Sequence, residues 1–534
     1  MREVPSPQSP PLTLLDRIGS FIDQCVLAVA PGYGAARMIT RARGRRMLST
    51  YEGAVSDSTR GSSWLGSRLS ADSALETDLT SLRSRSRELY RNDSYGGAVD
   101  DVVNHVVGTG FTPQCRIPEK VVGTEAGKVF REELEAIYKR WAPCCDISGK
   151  VSLWQQTRLM QRHILFDGEG IAVLSDDPTK DSPIPLTIEI IDPERLETPP
   201  ELINNARCRM GVEKDGSGRI VAYWIRKTHP GDTLELNLEY ERVPARRVLH
   251  VFERWFAGQT RALPWLCRTL NRIKDCKDLD EAEVIAAQVQ ACFAVFIKTP
   301  ISPANAAAAA ASSTSDGNRI QDIRPGAAHY IGYGEEVDFA TPTRPGGTFA
   351  PFQEWNYRRI AAALNVPYEM LVKNWSGVTF AGGRLILSGF KLDTKSRQKL
   401  IVEQFLTPIW NRLVDESVML GACSIEPRLW ESRPWLYQDH TWTAPAWPYA
   451  ITPGEEIKAN IEAVDNNQRT LASVVAETGE DLEDVLEQRK REMQMQRDYD
   501  ILPAETKTAD ATAEAQQAAA DAPQRVAMRT EAAK

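Results

Sequence analysis

Apolar residues recur at helical spacing along most of this chain, and short apolar runs of strand character break the pattern in one central region. Near the N-terminus Leu14, Ile18, Phe21, Ile22, Cys25 and Val29 share one face, which predicts an amphipathic helix within 12–30. A polar helix is predicted over 72–92 and a second helix over 94–107. Between 111 and 251 the runs 171–174, 186–191, 220–225 and 248–252 are bounded by Gly, Pro and Asp and read as strands among helices, an α+β domain. The stretch 262–296 then reads as one long helix. Leu266, Leu270, Ile273, Leu279, Ala282, Ala286 and Val289 lie near one face, with Arg268, Asp275, Asp278 and Glu281 elsewhere. Such a helix would be ~50 Å long, a length that suits a bundle, a stalk or a wall better than one globular domain.

The second half is more helical still, so the fold class is α+β and predominantly helical. Residues 301–318 are of low complexity, with Ala306–Ala311 followed by Ser312, Ser313, Thr314 and Ser315, and read as an excursion of the chain. Short strands are predicted at 328–331 and 337–340. A helix over 352–364 stops at Asn365-Val366-Pro367, because proline lacks a backbone donor and restricts the residue before it. Residues 373–383 read as a loop and 384–420 as a second long helix, kinked at Pro408. The Trp- and Pro-rich stretch 430–449 reads as irregular. Pro453 opens a helix, further helices follow over 470–478 and 481–497, and the tail from 503 to 534 lacks the apolar content to fold alone.

Composition narrows the function. The formal net charge of −8 argues against a protein that grips nucleic acid over its whole surface, which takes clustered Lys and Arg, but is compatible with one that surrounds DNA without gripping it. The local exception is the arm 37–46, where Arg37, Arg41, Arg43, Arg45 and Arg46 either touch nucleic acid or stay solvated. The nine cysteines form no CxxC pair and read as reduced thiols of a cytosolic compartment, with neither a disulfide framework nor a zinc site. Asp16, Arg17 and Asp23 make 12–30 unsuitable as a membrane span.

Catalytic patterns are scarce. No phosphate-binding G-x-x-x-x-G-K-[ST] loop occurs, so the chain should not itself be an ATP-driven motor. There is no G-x-S-x-G elbow and no H-E-x-x-H, and the six histidines lack metal-ligand spacing. The one enzyme candidate is Asp167-Gly168-Glu169, whose carboxylates could act as acid and base on a glycoside. The competing reading of the same tripeptide is the tight turn of a β-hairpin.

Four stretches, taken in order, resemble the portal proteins of lambda-type tailed bacteriophages. They are Arg87-Glu-Leu-Tyr-Arg-Asn92 continuing to Val106-Val-Gly-Thr-Gly110-Phe111; Leu249-His-Val-Phe252 with Gly258-Gln-Thr-Arg261; residues 352–371, including Arg359-Ile-Ala-Ala-Ala-Leu-Asn-Val-Pro-Tyr-Glu-Met-Leu371; and Gly479-Glu-Asp-Leu-Glu-Asp-Val-Leu-Glu-Gln-Arg489. One departure stands out. In place of a Ser-Ser-Ala-Arg-like run before the second long helix the chain has Phe380-Ala-Gly-Gly-Arg384, in which only the arginine matches.

The resemblance implies a structural protein without cofactor or bound metal, not an enzyme. It implies a homo-oligomeric ring, usually of twelve subunits, at one capsid vertex of the virion, put together in the host cytoplasm. Double-stranded DNA would pass through the ring. The terminase large subunit, a head-completion or adaptor protein, and the major capsid and scaffold proteins would be its partners, with no membrane. The implied portal fold places an arm and linker at 1–70, the wing at 71–261, stem helices at 262–296 and 349–365, and the clip at 297–348. A tunnel loop would follow at 366–383, the long wing helix and its return at 384–452, the crown at 453–500 and a tail at 501–534. Lys373, Asn374, Trp375 and Thr379 would face DNA from the tunnel loop, with Trp375 equally suited to packing on a neighbouring subunit. Arg384 and Lys391 are further candidates for DNA contact. Lys391, with Lys395 and Arg397, could equally form a solvated helix face. Arg319, Arg324, Glu335 and Glu336 would dock the motor from the clip. A structural adaptor with no DNA passage is the alternative.

Overall fold

In a computed structural model of the chain the described residues are 69–118, 122–176, 182–232, 238–291, 295–298, 336–339, 349–447, 453–499 and 501. The chain divides into two units, 1–70 and 71–534, and the elements below all belong to the second. The helix expected at 12–30, the basic arm, the low-complexity stretch, the strand expected at 328–331 and the tail from 503 lie outside the described residues.

Helix α1 (Ala71–Asn92) buries Leu75, Leu79 and Leu89, and α2 (Tyr95–Val107) buries Val99, Val102, Val103, Val106 and Val107 on one face. Strand β1 (Thr112–Cys115) and α3 (Thr124–Trp141) follow. Helix α4 (Leu153–Phe166) opens with a capping box: Ser152 Oγ accepts from the Gln155 amide and the Gln155 side chain accepts from the Ser152 amide.

Two antiparallel sheets follow. One has the order β3-β2-β8, from β2 (Gly170–Ser175), β3 (Thr187–Ile191) and β8 (Val248–Val251). The other has the order β4-β5-β6-β7, from β4 (Cys208–Arg209), β5 (Val212–Lys214), β6 (Ile220–Arg226) and β7 (Tyr240–Pro244). Side chains alternate across a strand, and β2 uses both faces. Ala172 and Leu174 join Leu249, Val251 and the helices in the large core. Ile171 and Val173 join Val248, Val212, Tyr223, Ile225 and Val243 in a second core between the sheets. Burial on both faces is why this strand is an unbroken apolar run.

The C-terminal half departs from the pattern at several points. The helix expected over 262–296 is shorter: α5 spans Leu270–Ala291, ~33 Å, after a separate 3-10 turn at Trp265–Arg268. Pro264 caps that turn, and Thr269 has left helical geometry at φ −123. Strand β9 (Val295–Lys298) lies beyond α5 and pairs antiparallel with β10 (Glu336–Phe339). Helix α6 (Phe349–Leu364) is followed by a short α7 (Tyr368–Val372) inside the expected loop. The next helix, α8 (Phe380–Ile401), starts four residues before Arg384. At the proline the chain makes a π turn, Val402–Leu406, rather than a simple kink, and continues as α9 (Thr407–Met419). Pro408 has no amide to donate and its ring crowds the carbonyl four residues back, so the ladder widens and the Thr407 amide bonds Val402 O.

The stretch read as irregular, 430–449, opens on the end of α10 (Pro427–Ser432) and holds β11 (His440–Thr443), and β11 pairs antiparallel with β1. Gln114 Nε2 also donates to Thr443 Oγ1 at 2.8 Å. Last come α11 (Pro453–Asp465), α12 (Leu471–Ala476), capped by Thr470, and α13 (Leu482–Asp498), capped by Asp481.

Asp167-Gly168-Glu169 is not a hairpin turn: it is the corner between α4 and β2, and both carboxylates are fully buried. Glu169 Oε1 accepts from Arg83 at 2.6 Å and Arg261 at 2.5 Å. Its Oε2 accepts from the Ala262 amide at 2.9 Å and lies 3.0 Å from His250 Nε2. Asp167 takes two bonds from Arg87, at 2.6 and 2.9 Å, and lies 2.7 Å from His163 Nδ1. The spare guanidinium donors of Arg261 reach the carbonyls of Pro193, Leu196 and Met210. Gly168 sits at φ +91, and a Cβ there would lie 2.3 Å from the Leu263 carbonyl carbon. Burial alone would push the Glu169 carboxyl up, but Arg261, Arg83 and His250 hold it well below the usual carboxylate range. Burial pushes His250 down against the pull of Glu169 and brings Arg261 to about 10, so the imidazole is neutral and the guanidinium charged at pH 7.

Removing one member of a buried ion pair strands the other. Glu169→Gln should therefore cost about 3–5 kcal/mol, read as a lowered denaturant midpoint. Acid should act in the same direction. The unfolded chain takes up a proton at His250 below about pH 6.5 and at Glu169 below about pH 4.3, while the folded chain resists both, so stability falls with pH. His250→Gln should flatten the part of that fall between pH 7.5 and 5.5, measured as unfolding midpoints across the range.

Candidate functional site

Helices α5 and α6 run side by side and antiparallel, tied by side-chain bonds. Arg272 Nη1 donates to Asn356 Oδ1 at 2.8 Å, Gln353 Nε2 to Asp280 Oδ1 at 2.6 Å, and the Tyr357 hydroxyl to Asp280 Oδ2 at 3.1 Å. Ile273 and Ile360 are buried in the shared core. At the end of α6 the chain reverses on Asn365, at φ +54, while the Val366 amide reaches back to Ala361 O and the Trp265 indole N–H caps Leu364 O. This is a Schellman ending with asparagine in the left-handed position. Asn365 also donates to Asp393 Oδ1 at 2.9 Å, which ties the turn to α8.

The segment from 365 to 379 is therefore held at several points. Met370 of α7 is buried, and Arg358 lies 5.3 Å from the centre of the Tyr368 ring. Lys373 ends α7 in the left-handed region, at φ 55. Asn374 Oδ1 accepts from the Ser376 amide and hydroxyl, and the Val378 amide bonds Trp375 O across Gly377, at φ +78. Thr379 caps α8 by accepting from the Gly382 amide.

The structure brings Lys373, Asn374, Trp375 and Thr379 together in one exposed loop, and it divides their work. The side chains of Asn374 and Thr379 hold the loop's own shape. Lys373 is exposed, its ammonium 3.7 Å from Asp101, and the Trp375 ring is partly exposed. Arg384 is exposed on the first turns of α8, next to this loop in the chain. Lys391 lies further along the helix, where with Lys395 it faces Glu477, beyond α12; Lys395 Nζ is 3.9 Å from that carboxylate. Arg319, Arg324 and Glu335 lie outside the described residues, and Glu336 opens β10 opposite Lys298. The sequence reading did not find the partner of Lys373: Asp101 sits in α2, remote in sequence, and no motif marks it.

The enzyme candidate does not survive its surroundings. Asp167 and Glu169 have no exposed surface, and every carboxylate oxygen is already engaged by an arginine, a histidine or a backbone amide. Among the described residues no group of three or more His, Cys, Asp or Glu could hold a metal ion, and no helix is long and apolar enough to cross a membrane.

The family model described as phage portal protein, lambda family, matches residues 57–398. Among curated relatives, a probable portal protein of Halomonas phage phiHAP-1 is 26% identical, covering 78% of this chain and 81% of that one. Portal protein B of Escherichia phage lambda is 22% identical, covering 83% and 88%. Among solved structures, a chain in the neck of an empty GTA particle aligns with a TM-score of 0.39 and 12% identity, over 74% of this chain and 90% of that one. The family model alone spans well over half of the sequence, and the chain belongs to the lambda family of phage portal proteins.

Proposed function

We propose that copies of this chain assemble as a ring at one vertex of a phage capsid, and that genomic double-stranded DNA enters and leaves through the centre of that ring. The family is a structural one, and its match over residues 57–398 is the observation that carries the reading. The terminase motor and later a head-completion protein would dock on the ring, with the major capsid and scaffold proteins around it, and the protein would reside in the virion after assembly in the host cytoplasm. Exposed apolar side chains support an assembled state. Leu385 and Leu392 are seven residues apart on one face of α8 and are 75% and 73% exposed, and Phe380 at the start of the same helix is exposed as well. A lone chain leaves these in water; a neighbouring copy would cover them.

On this reading α5 and α6 are stem helices, residues 297–348 the clip, α8 and α9 the long wing helix, and α11 to α13 the crown. The loop 373–379 faces the channel. Its shape is fixed by Asn374, Gly377 and Thr379, so it presents Lys373 and Trp375, with Arg384 behind, at little entropic cost. In a chain of net charge −8 those few cations meet phosphate against a repulsive background, which favours sliding over gripping.

Three outcomes test the proposal. Light scattering of the purified chain should give a mass near twelve times 59.5 kDa, with ring-shaped particles in electron micrographs; a monomer at high concentration, with no rings, would count against it. Leu392→Glu should lower that mass while leaving the circular dichroism of the chain unchanged. Replacing 373–379 by a Gly/Ser linker should leave rings intact but reduce packaged or retained DNA, measured as genome length in particles; full-length genomes would remove the loop from the channel.

A further inference from the structure

The α5–α6 pair borders a groove with an excess of carboxylates, and the far face of α6 carries stacked aromatic rings and an arginine with no carboxylate partner among the described residues. On one side a groove of about 410 Å³ runs between the α1–α2 junction and α5, lined by Asp93, Tyr95, Lys277, Asp280, Glu281, Val284, Ile285 and their neighbours. Three carboxylates face one ammonium there. Asp280 is bonded only to the neutral Gln353 and Tyr357, and Asp93 to the Ser94 hydroxyl and the Tyr95 amide. Among the described residues none of Asp93, Asp280 and Glu281 has a cation within ion-pair distance. Val284 and Ile285 are exposed at the mouth of the groove. The Tyr95 hydroxyl, on a buried side chain lining the same groove, has no hydrogen-bond partner.

On α6 the residues Phe352, Trp355 and Arg359 stand at i, i+3 and i+7 and so share one face, turned away from the Tyr357 that lines the groove. Phe352 and Trp355 are stacked and half exposed, with ring centres 6.4 Å apart. Arg359 lies 4.8 Å from the centre of the Trp355 ring and Arg272 5.9 Å, while Arg268 covers Trp255 at 4.4 Å. Among the described residues none of these three guanidiniums has a carboxylate partner. Their contacts are to aromatic faces and to Asn356.

We infer that the Phe352–Trp355–Arg359 face of one copy seats in the Asp280–Glu281–Val284–Ile285 groove of the next copy of this chain. The aromatic pair covers the exposed Val284 and Ile285, and the Arg359 guanidinium meets the carboxylates of Asp280 and Glu281. Charge complementarity selects a second copy as the occupant, because groove and knob are both present on every chain and neither is balanced within it. Since the two lie on different sides of the pair, the contact is head-to-tail, and a head-to-tail contact that closes on itself makes a ring rather than a two-fold dimer. The inference rests on the ring reading above and supplies its contact.

The test is a charge swap in the full-length chain, read by light scattering and electron micrographs. Arg359→Glu and Glu281→Arg should each abolish the ring-sized species, and the double variant should restore it. Both positions lie at the surface of their helices, so circular dichroism of each single variant should match the wild type; Trp355→Ala provides a charge-neutral variant that should also lose rings. Normal rings from both single variants, with wild-type rings present, would overturn this contact and leave the ring standing. Failure of the double variant to recover rings would overturn the pairing too. Absence of rings in the wild type would instead remove the ring reading itself, and the contact with it.

Discussion

One buried carboxylate, Glu169, meets two arginines, a histidine and a backbone amide from three distant parts of the chain. Arg83 comes from α1, His250 from β8, and Arg261 with the Ala262 amide from the segment that leads into α5. Alongside it Asp167 binds Arg87 and His163. An ion pair without surface exposure is stable only when its geometry satisfies nearly every donor and acceptor, since the desolvation cost is of the same order as the attraction. That demand fixes more than the corner itself. With Arg261 pinned to the carbonyls of Pro193, Leu196 and Met210, the chain enters the 3-10 turn and α5 from one defined point. The paired helices α5 and α6, and the loop after them, inherit their position from it. Apolar residues in place of the cluster would leave a core but release that registry; the ions serve placement more than stability.

A second set of constraints acts on the backbone of the C-terminal half. Asn365 and Lys373 adopt positive φ, and Pro408 removes a donor. Each ends or widens a helix at a place where a straight continuation would carry the chain away from the loop. The Schellman ending at Asn365 and the bond from its side chain to Asp393 link the end of α6 to the middle of α8, so the loop between them is anchored at both ends.

These elements were unequally legible in the sequence. Thr470, Asp481 and Pro453 announce their helices because capping is a local interaction. The strands at β2 and β8 show in β-branched runs. The corner at 167–169 reads as a hairpin turn in the sequence because the buried face of α4 carries Gln156, Thr157 and Gln161, which hide the helical period of the residues before it. Strand β11 was unreadable for a different reason: its partner lies more than three hundred positions earlier, and its Gln114–Thr443 bond spans 329 residues. The proline stop after 364 and a loop over 373–383 are legible, but not that the loop closes at Thr379, nor that two of its four candidate residues spend their side chains on its shape.

The same bookkeeping of charge separates what holds the chain together from what it offers to others. Inside, carboxylates and guanidiniums are matched almost atom for atom, as at Glu169 and Asp167. Around the α5–α6 pair they are not: the groove sets Asp93, Asp280 and Glu281 against the one ammonium of Lys277, while on the other face of α6 Arg359 lies against Trp355 and, among the described residues, has no carboxylate within ion-pair distance. Leaving charges unmatched costs little in water, whose high dielectric weakens each interaction, but unmatched charges beside exposed Val284, Ile285, Phe352 and Trp355 gain strongly once a partner excludes that water. A surface of this kind favours the assembled state without tightening the isolated chain, because neither half of the contact can be satisfied until another copy arrives.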